Sequence, residues 1–402
     1  MNTATSSLSA KPGHQPVTPW LTFLLAAACG LIIANIYYAQ PLAGPISASL
    51  GLSVQAAGLI VTLTQIGYGL GLLLIVPLGD LIENRRLTLT LLGIATLALL
   101  GAGLSTHPLP FLLSVWGIGL GTVAVQVLVP YAAHMAPEAA RGRVVGNVMS
   151  GVMLGIMLAR PAASFITQIS SWHVVFYGSA ATMLLLATVL AKALPERMPG
   201  GRLRYGELLA SMLKLAGTTP VLRRRALYHA GLFASFSLFW TTIPLLLASS
   251  AFGLSQGGIA LFALAGLAGA VAAPIAGRIA DRGRSRPATG GAMLIVVVAF
   301  LMTHIAPSGS DQALGLLVAA AILLDFGVAA HMTLAQRAIF ELGAELRARL
   351  NGLYMTIFFV GGAVGSALGG WAYAHGGWMV ASMIGVVFPA LALAYFTTEY
   401  RQ

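Results

Sequence analysis

The sequence predicts an all-α membrane protein, with twelve transmembrane helices arranged as two six-helix, pseudo-symmetric halves. Three observations carry the prediction. Of 402 residues, 58% are hydrophobic and 8% charged, with a mean hydropathy of +0.87, whereas a soluble chain carries about a quarter charged residues. Apolar runs long enough to cross a hydrocarbon core of about 30 Å, which takes roughly 20 helical residues, recur twelve times. A charged loop is also written twice, as Gly79-Asp80-Leu81-Ile82-Glu83-Asn84-Arg85-Arg86 and as Gly277-Arg278-Ile279-Ala280-Asp281-Arg282-Gly283-Arg284-Ser285-Arg286. Asp281 follows Asp80 by 201 residues (281 minus 80), half the length of the chain.

The runs divide the chain into a flexible cytoplasmic tail at 1–18, an N-terminal half at 19–192, a linker at 193–225 and a C-terminal half at 226–402. The first six spans read as Trp20 to Pro41, Gln55 to Leu78, Leu87 to Leu104, Leu109 to His134, Val144 to Ile169 and His173 to Leu190. The second six read as Ala226 to Ala248, Gly257 to Ala280, Ala288 to His304, Leu314 to Ala335, Leu350 to Ala374 and Trp378 to Phe396. Gly and Pro inside them are compatible with membrane helices, where Gly permits close packing. A barrel is excluded because the runs are too long for its strands and do not alternate. Within the linker, Glu207 to Leu215 has helical spacing suited to the membrane surface, with a plain linker as the alternative.

The net charge of +11 invites a nucleic-acid partner, but its distribution argues otherwise. With both termini in the cytoplasm, every one of the 22 Lys and Arg residues except Arg160 falls at a cytoplasmic segment. That is the positive-inside pattern of a multi-pass protein of the cytoplasmic membrane. Cys29 is the sole cysteine and lies in the first span, so there is no disulfide framework and no thiolate metal site. The first apolar run is too long for a cleaved signal peptide and lacks a cleavage pattern.

The duplication extends past the charged loop. Tyr37-Tyr38-Ala39-Gln40-Pro41 matches Trp240-Thr241-Thr242-Ile243-Pro244 at an offset of 203 (240 minus 37), and Arg141-Gly142-Arg143 matches Arg347-Ala348-Arg349 at 206 (347 minus 141). Two halves repeated in the same orientation place a solute site between them near mid-membrane.

On these residues the chain resembles the major facilitator superfamily over essentially its whole length. The family's loop between spans two and three, Gly-x-Leu-Ala-Asp-Arg-x-Gly-Arg-Arg, is kept well at Gly277 to Arg282. The first copy keeps Asp80, Arg85 and Arg86 but has Val76 and Leu81 in place of Gly and Arg. Asn35 to Leu42, Gln126 to His134 and Gly151 to Arg160 are similar to a group of bacterial transporters labelled as drug or sugar exporters. Span four lacks the Arg of many proton-coupled drug antiporters at Ser114-Val115-Trp116-Gly117, and span five lacks their Gly-Pro pair. The resemblance implies a monomeric secondary transporter of a small solute, with protons as coupling ions, no cofactor and no metal. It also implies that spans one, four, seven and ten line the cavity.

Away from the span ends, only Arg160 in span five and Asp325 in span ten are charged. Each costs at least about 2.5 kcal/mol at mid-bilayer, so each faces protein or a water-filled cavity. Asp325, about 11 residues into span ten, can carry a coupling proton, bind a substrate cation, or hold a structural bond. Arg160 keeps its proton in practice, so it can bind an anion, pair with a carboxylate or bond backbone carbonyls. The remaining lining candidates are Asn35, Tyr38 and Gln40, then Gln65 and Tyr68, Gln126, Trp240 and Thr241, and Tyr354. Each alone reads first as a helix-packing hydrogen bond and second as a ligand contact, and Tyr37 and Trp378 read better as interfacial anchors. His331 and His229 could each titrate near physiological pH, but read first as packed neutral imidazoles.

Asp80 and Asp281, with Arg85, Arg86 and Arg282 beside them, are expected to form a conformational gate in which a carboxylate meets the positive N-terminal end of a helix in the other half; the alternative is a solvated loop charge paired with its neighbouring arginines. Two transport readings follow: proton-coupled efflux of a mainly apolar compound, or transport, including uptake, of a small anionic metabolite anchored by Arg160. An enzyme is disfavoured, since the sequence contains no His-Glu-x-x-His, no Gly-x-Ser-x-Gly and no phosphate-cradling loop.

Overall fold

A computed structural model describes residues 18–199, 204–343 and 346–400. The expectations placed on residues 1–17, on Gly200 and Gly201 and on Arg202 lie outside them. The described residues form helices joined by short turns, with no strand among them. Among the described residues, ten helices are long and apolar enough to cross a membrane. One of these, Arg347–Thr397, is two spans merged across a break at Gly376 and Gly377, where Gly377 has φ 58°. With the shorter apolar helix Pro19–Ala34, the spans number twelve.

Several spans depart from straight rods where their sequences weaken the backbone ladder. Span one was expected to run to Pro41, but its helix stops at Ala34. The chain then turns through residues 35–42 and resumes as the helix Ala43–Leu50. Pro41 supplies no N–H and disfavours helical geometry at Gln40. Span four divides at Val123 into Pro108–Thr122 and Ala124–Met135. Span eight, expected as one helix, consists of Gln256–Ala263, a tight turn of helix at Leu264–Ala268 and Gly269–Asp281. Short tight-helix segments inside a span often mark hinges. Span five, Arg141–Ile169, is unbroken despite Pro161. The linker helix is longer than expected, at Tyr205–Thr218, and Tyr205 Oη donates to Leu74 O at 2.7 Å.

The halves meet most closely along spans two and eleven. A Cβ on Gly58 would lie 2.5 Å from Ser366 O, so glycine sets that approach. Thr62 and Ser366 hydroxyls bond at 2.8 Å, and Gln65 Nε2 donates to Ser237 Oγ of span seven at 2.6 Å. Phe233, Phe358, Phe359 and Tyr68 fill the space beside these bonds, the Tyr68 and Phe359 rings lying 4.6 Å apart. On the opposite side Gly257 N donates to Gln168 Oε1 at 2.9 Å, tying span eight to span five.

Candidate functional site

Span one's irregular segment, span five, span seven, Asp311–Phe340 as span ten and the tight turn of span eight converge on the two buried charges. Arg160 is 2% exposed and Asp325 6%. Arg160 Nε donates to Gln40 Oε1 at 2.7 Å. Its guanidinium lies 4.3 Å from the Trp240 ring centroid, 5.0 Å from Tyr37 and 5.1 Å from Phe236. Desolvated cation–π contacts of this kind are worth about 2 kcal/mol, which offsets part of the cost of burying the cation. The indole N–H of Trp240 donates to Asp325 Oδ1 at 2.9 Å. Trp240 therefore touches both charges, one with its face and the other with its edge.

The charges are close without being a contact pair. No N···O separation of 4.0 Å or less joins Arg160 to Asp325 among the described residues. A Cβ on Gly266 would sit 2.9 Å from Asp325 Oδ2 and 3.6 Å from Arg160 Nη1. Those two atoms are thus no more than 6.5 Å apart (2.9 plus 3.6). Gly266 is the residue at which span eight's backbone comes up against both. Arg160 Nη2 and Gln40 Nε2 are buried donors with no hydrogen-bond partner, and unfilled buried donors usually need an explanation in a ligand or a moving part.

A groove of about 1090 Å³ runs between spans one and five. Phe23, Gly30, Leu31, Ala34 and Tyr38 line one wall, and Val144, Asn147, Leu154, Leu158 and Ala159 the other. Arg143 and Pro137 stand at its basic-loop end, while Tyr38 and Ala159 adjoin Tyr37 and Arg160 in sequence. Its walls are mostly apolar, so it suits a solute with a largely apolar body.

Of the candidates read from the sequence, Gln40, Arg160, Trp240 and Asp325 come together and Tyr38 lines the groove beside them. Thr241 is buried on span seven with its hydroxyl unpartnered. Asn35 points elsewhere. Its Nδ2 returns to Leu31 O and Ile32 O, and its Oδ1 accepts from Ser179 of span six inside the N-terminal half. Gln65 crosses to Ser237, whereas Tyr68 accepts from Gln126 Nε2 at 2.9 Å. Tyr354 is fully buried among His229 and Phe358 with its hydroxyl unpartnered. Tyr37, expected as an interfacial anchor, is buried against Arg160 because the break in span one turns it inward. Trp378 likewise faces inward, with Nε1 donating to Thr303 Oγ1 at 3.0 Å. Gly266 and Phe236 were missed; as a glycine and a phenylalanine within apolar runs, neither carries a sequence signal of a site.

The two charged loops differ. Asp80 is exposed and lines a cavity of about 120 Å³ with Ala348 and Arg349 at the start of span eleven, in the other half. Asp281 instead pairs with Arg337 of its own half, and Arg282 is exposed. Arg85 reaches Glu196 at 3.8 Å and bonds Ala191 O, and Arg86 lies 3.9 Å from Glu83. Glu83 caps span three, Asn84–Leu104, by accepting from Arg85 N at 2.7 Å and Arg86 N at 2.8 Å. Burial alone would raise its carboxyl. The backbone N–H groups of Arg86, Arg85 and Arg197, with the Arg86 charge, outweigh burial and hold it below the usual carboxylate range.

Two six-helix halves around a buried charged centre agree with the family profile, which is described as Major Facilitator Superfamily and matches residues 22–318 and 226–402. The chain belongs to the major facilitator superfamily. It is similar to the "Uncharacterized transporter YgaY" of Escherichia coli O157:H7, with 38% identity over 383 residues, 95% of this chain and 96% of that one. It is also similar to the "Probable transporter SCO4007" of Streptomyces coelicolor, with 33% identity over 360 residues, 88% and 82% of the two chains. Among solved structures of this fold, a bacterial homolog of the human lysosomal transporter Spinster superposes with a TM-score of 0.77 at 15% identity, over 97% of this chain and 98% of that one. A variant of the nucleoside transporter NupG gives 0.76 at 12% identity, over 94% and 99%. The protein is therefore a multi-pass membrane transporter of the superfamily.

Proposed function

We propose that this transporter exports a small, mainly apolar organic solute across the cytoplasmic membrane in exchange for protons, with Asp325 as the proton-carrying group. The observation that carries this reading is the state of that carboxylate. It is buried, bonded through one oxygen to Trp240, and near Arg160 without being paired to it. A full ion pair would hold it ionised, and a purely apolar surround would hold it neutral. An intermediate setting allows it to gain and lose a proton as the halves rock and water reaches it from either side. The groove supports loading from the cytoplasmic face, where Arg143 stands, because its apolar walls lead to Tyr38 and Ala159 beside the charges. The protein would work as a monomer with both termini in the cytoplasm. Asp80, facing the start of span eleven, would help close the cytoplasmic side.

The test begins with a thermal-shift screen of drugs, sugars, amino acids and organic acids at two pH values to find a ligand. Flux of that ligand is then measured in proteoliposomes under an imposed pH gradient. Asp325→Asn should abolish gradient-driven flux while ligand counterflow persists. Undiminished gradient-driven flux in that variant rules Asp325 out as coupler.

A second reading is favoured by the unpartnered Arg160 Nη2 and Gln40 Nε2, which could receive the anionic group of a small metabolite and permit its uptake. Counterflow with matched anionic and cationic ligands separates the two readings. Equal anion binding in Arg160→Gln removes the second.

A further inference from the structure

Apart from Asp325 and Arg160, the membrane-embedded region holds a second cluster of ionisable groups, which the transport reading leaves unused. His229 on span seven and His331 on span ten are 1% and 0% exposed. Their Nδ1 atoms are 3.1 Å apart and their rings lie within 6° of parallel. This contact joins the same two spans that Trp240 and Asp325 join. It lies eleven residues nearer the basic-loop face on span seven (240 minus 229) and six on span ten (331 minus 325).

An Nδ1···Nδ1 bond needs a proton on one ring and a lone pair on the other, so the neutral pair closes the contact. The surroundings provide no place for an added proton in this arrangement. His331 Nε2 is buried with no partner, as is the Tyr354 hydroxyl. The span-seven helix, Pro220–Ala248, brings Arg224, Arg225 and Tyr228 to this region, and span eleven brings Tyr354, whose ring stacks 5.5 Å from His229. Span twelve and the turn after it bring Tyr395 and Glu399. The Glu399 carboxylate, the acid of the group, is already engaged by Arg225 at 3.3 Å and by the Tyr228 hydroxyl at 2.9 Å. Phe233 and Phe358 complete the wall with apolar rings. An imidazolium formed here would bury an N–H without an acceptor and place a cation near Arg225. An added proton on each ring, making both imidazoles cationic, would leave no Nδ1 lone pair for the bond at all.

We propose that His229 and His331 form a proton-binding latch, separate from Asp325, which is shut when neutral and which opens the basic-loop ends of spans seven and ten when it takes up protons. The direction follows from mass action: a ligand that binds the open form better shifts the population toward it. Acid therefore loosens the contact, and the two spans remain tied at their Trp240–Asp325 end.

The test uses the full chain in lipid nanodiscs, with spin labels on Val221→Cys and Leu342→Cys in a Cys29→Ser background. Both positions are exposed, near the ends of spans seven and ten. Between about pH 8 and about pH 5, across the histidine range, a longer label-to-label distance should appear and become the main population. His331→Gln should remove that response, because the amide oxygen it introduces can accept from His229 whether or not that ring is charged. Asp325→Asn should keep it. The unmodified chain, labelled with ¹⁵N-histidine, should show scalar coupling between the two Nδ1 atoms at about pH 8 and lose it at about pH 5. This measurement needs no variant to fold. A pH-independent distance, an unchanged response in His331→Gln, loss of the response in Asp325→Asn, or coupling that is absent throughout or persists in acid would each overturn the latch. Loss of gradient-driven flux in Asp325→Asn would bear only on the coupling reading.

Discussion

Trp240 donates its indole N–H to Asp325 Oδ1 at 2.9 Å while the face of the same ring lies 4.3 Å from the Arg160 guanidinium carbon. One side chain thus fixes the relative placement of two charges from different halves. Trp240→Phe keeps an aromatic face but removes the donor. A hydrogen bond to a charged group contributes about 1.5–3 kcal/mol, so the variant should melt several degrees lower by circular dichroism. It should also lose gradient-driven flux more severely than ligand binding. A variant with wild-type melting and wild-type flux would show that the bond does no work.

Arg160→Lys preserves the charge and discards the planar fork. Lysine cannot combine the Nε–H bond to Gln40 with stacking on Trp240, Tyr37 and Phe236. Binding of the screened ligand should weaken about tenfold, equivalent to about 1.4 kcal/mol, with expression preserved. Titration of the purified variant measures this directly, and unchanged affinity would mean that charge alone matters at this position.

Gly266 supplies room that no other residue can. An alanine Cβ would stand 2.9 Å from Asp325 Oδ2 and 3.5 Å from the Trp240 ring. Overpacking of this kind costs about 1–3 kcal/mol, and here it falls on the bond that orients the carboxylate. Gly266→Ala should reduce coupled flux at least about tenfold, a change equivalent to about 1.4 kcal/mol in the barrier. Gly277→Ala on the same span, where an added Cβ meets open space, should transport as the unmodified protein does. Equal flux in the two variants would contradict the close approach at position 266.

The superfamily fold was legible because its signals are long and repeated: twelve apolar runs, a duplicated loop and a one-sided distribution of arginines survive local ambiguity. The charged centre was legible in part. Arg160 and Asp325 stand out where charge is expensive, yet their proximity depends on helix packing, which residue depth along a span does not reveal. Tyr37 read as an interfacial anchor because span one was expected to continue through Pro41; the break at Ala34 turns that ring toward Arg160. Gly266 is one of 47 glycines, and nothing in its neighbours marks the break in span eight. The His229–His331 contact spans 102 residues of sequence and could not be read from spacing.

Glu83 gives a pH dependence whose sign can be worked out from its surroundings. Its carboxylate accepts N–H bonds from Arg85, Arg86 and Arg197 at 2.7, 2.8 and 3.3 Å, and it is held below the usual carboxylate range despite its burial. A group with a depressed folded-state value binds protons less readily folded than unfolded, so it contributes stability above the ordinary Glu value of about 4.3. That contribution is lost as pH falls through the lower folded-state value. Glu83→Gln retains an amide oxygen as acceptor but no charge, and should destabilise the protein by about 1 kcal/mol near neutrality, in line with other helix caps. Thermal melts from about pH 7 down to about pH 3 should show the gap between the two proteins closing below about pH 4, as Glu83 of the unmodified chain takes up its proton. A gap that stays constant with pH would assign the loss to altered packing and leave the charge without a role in the cap.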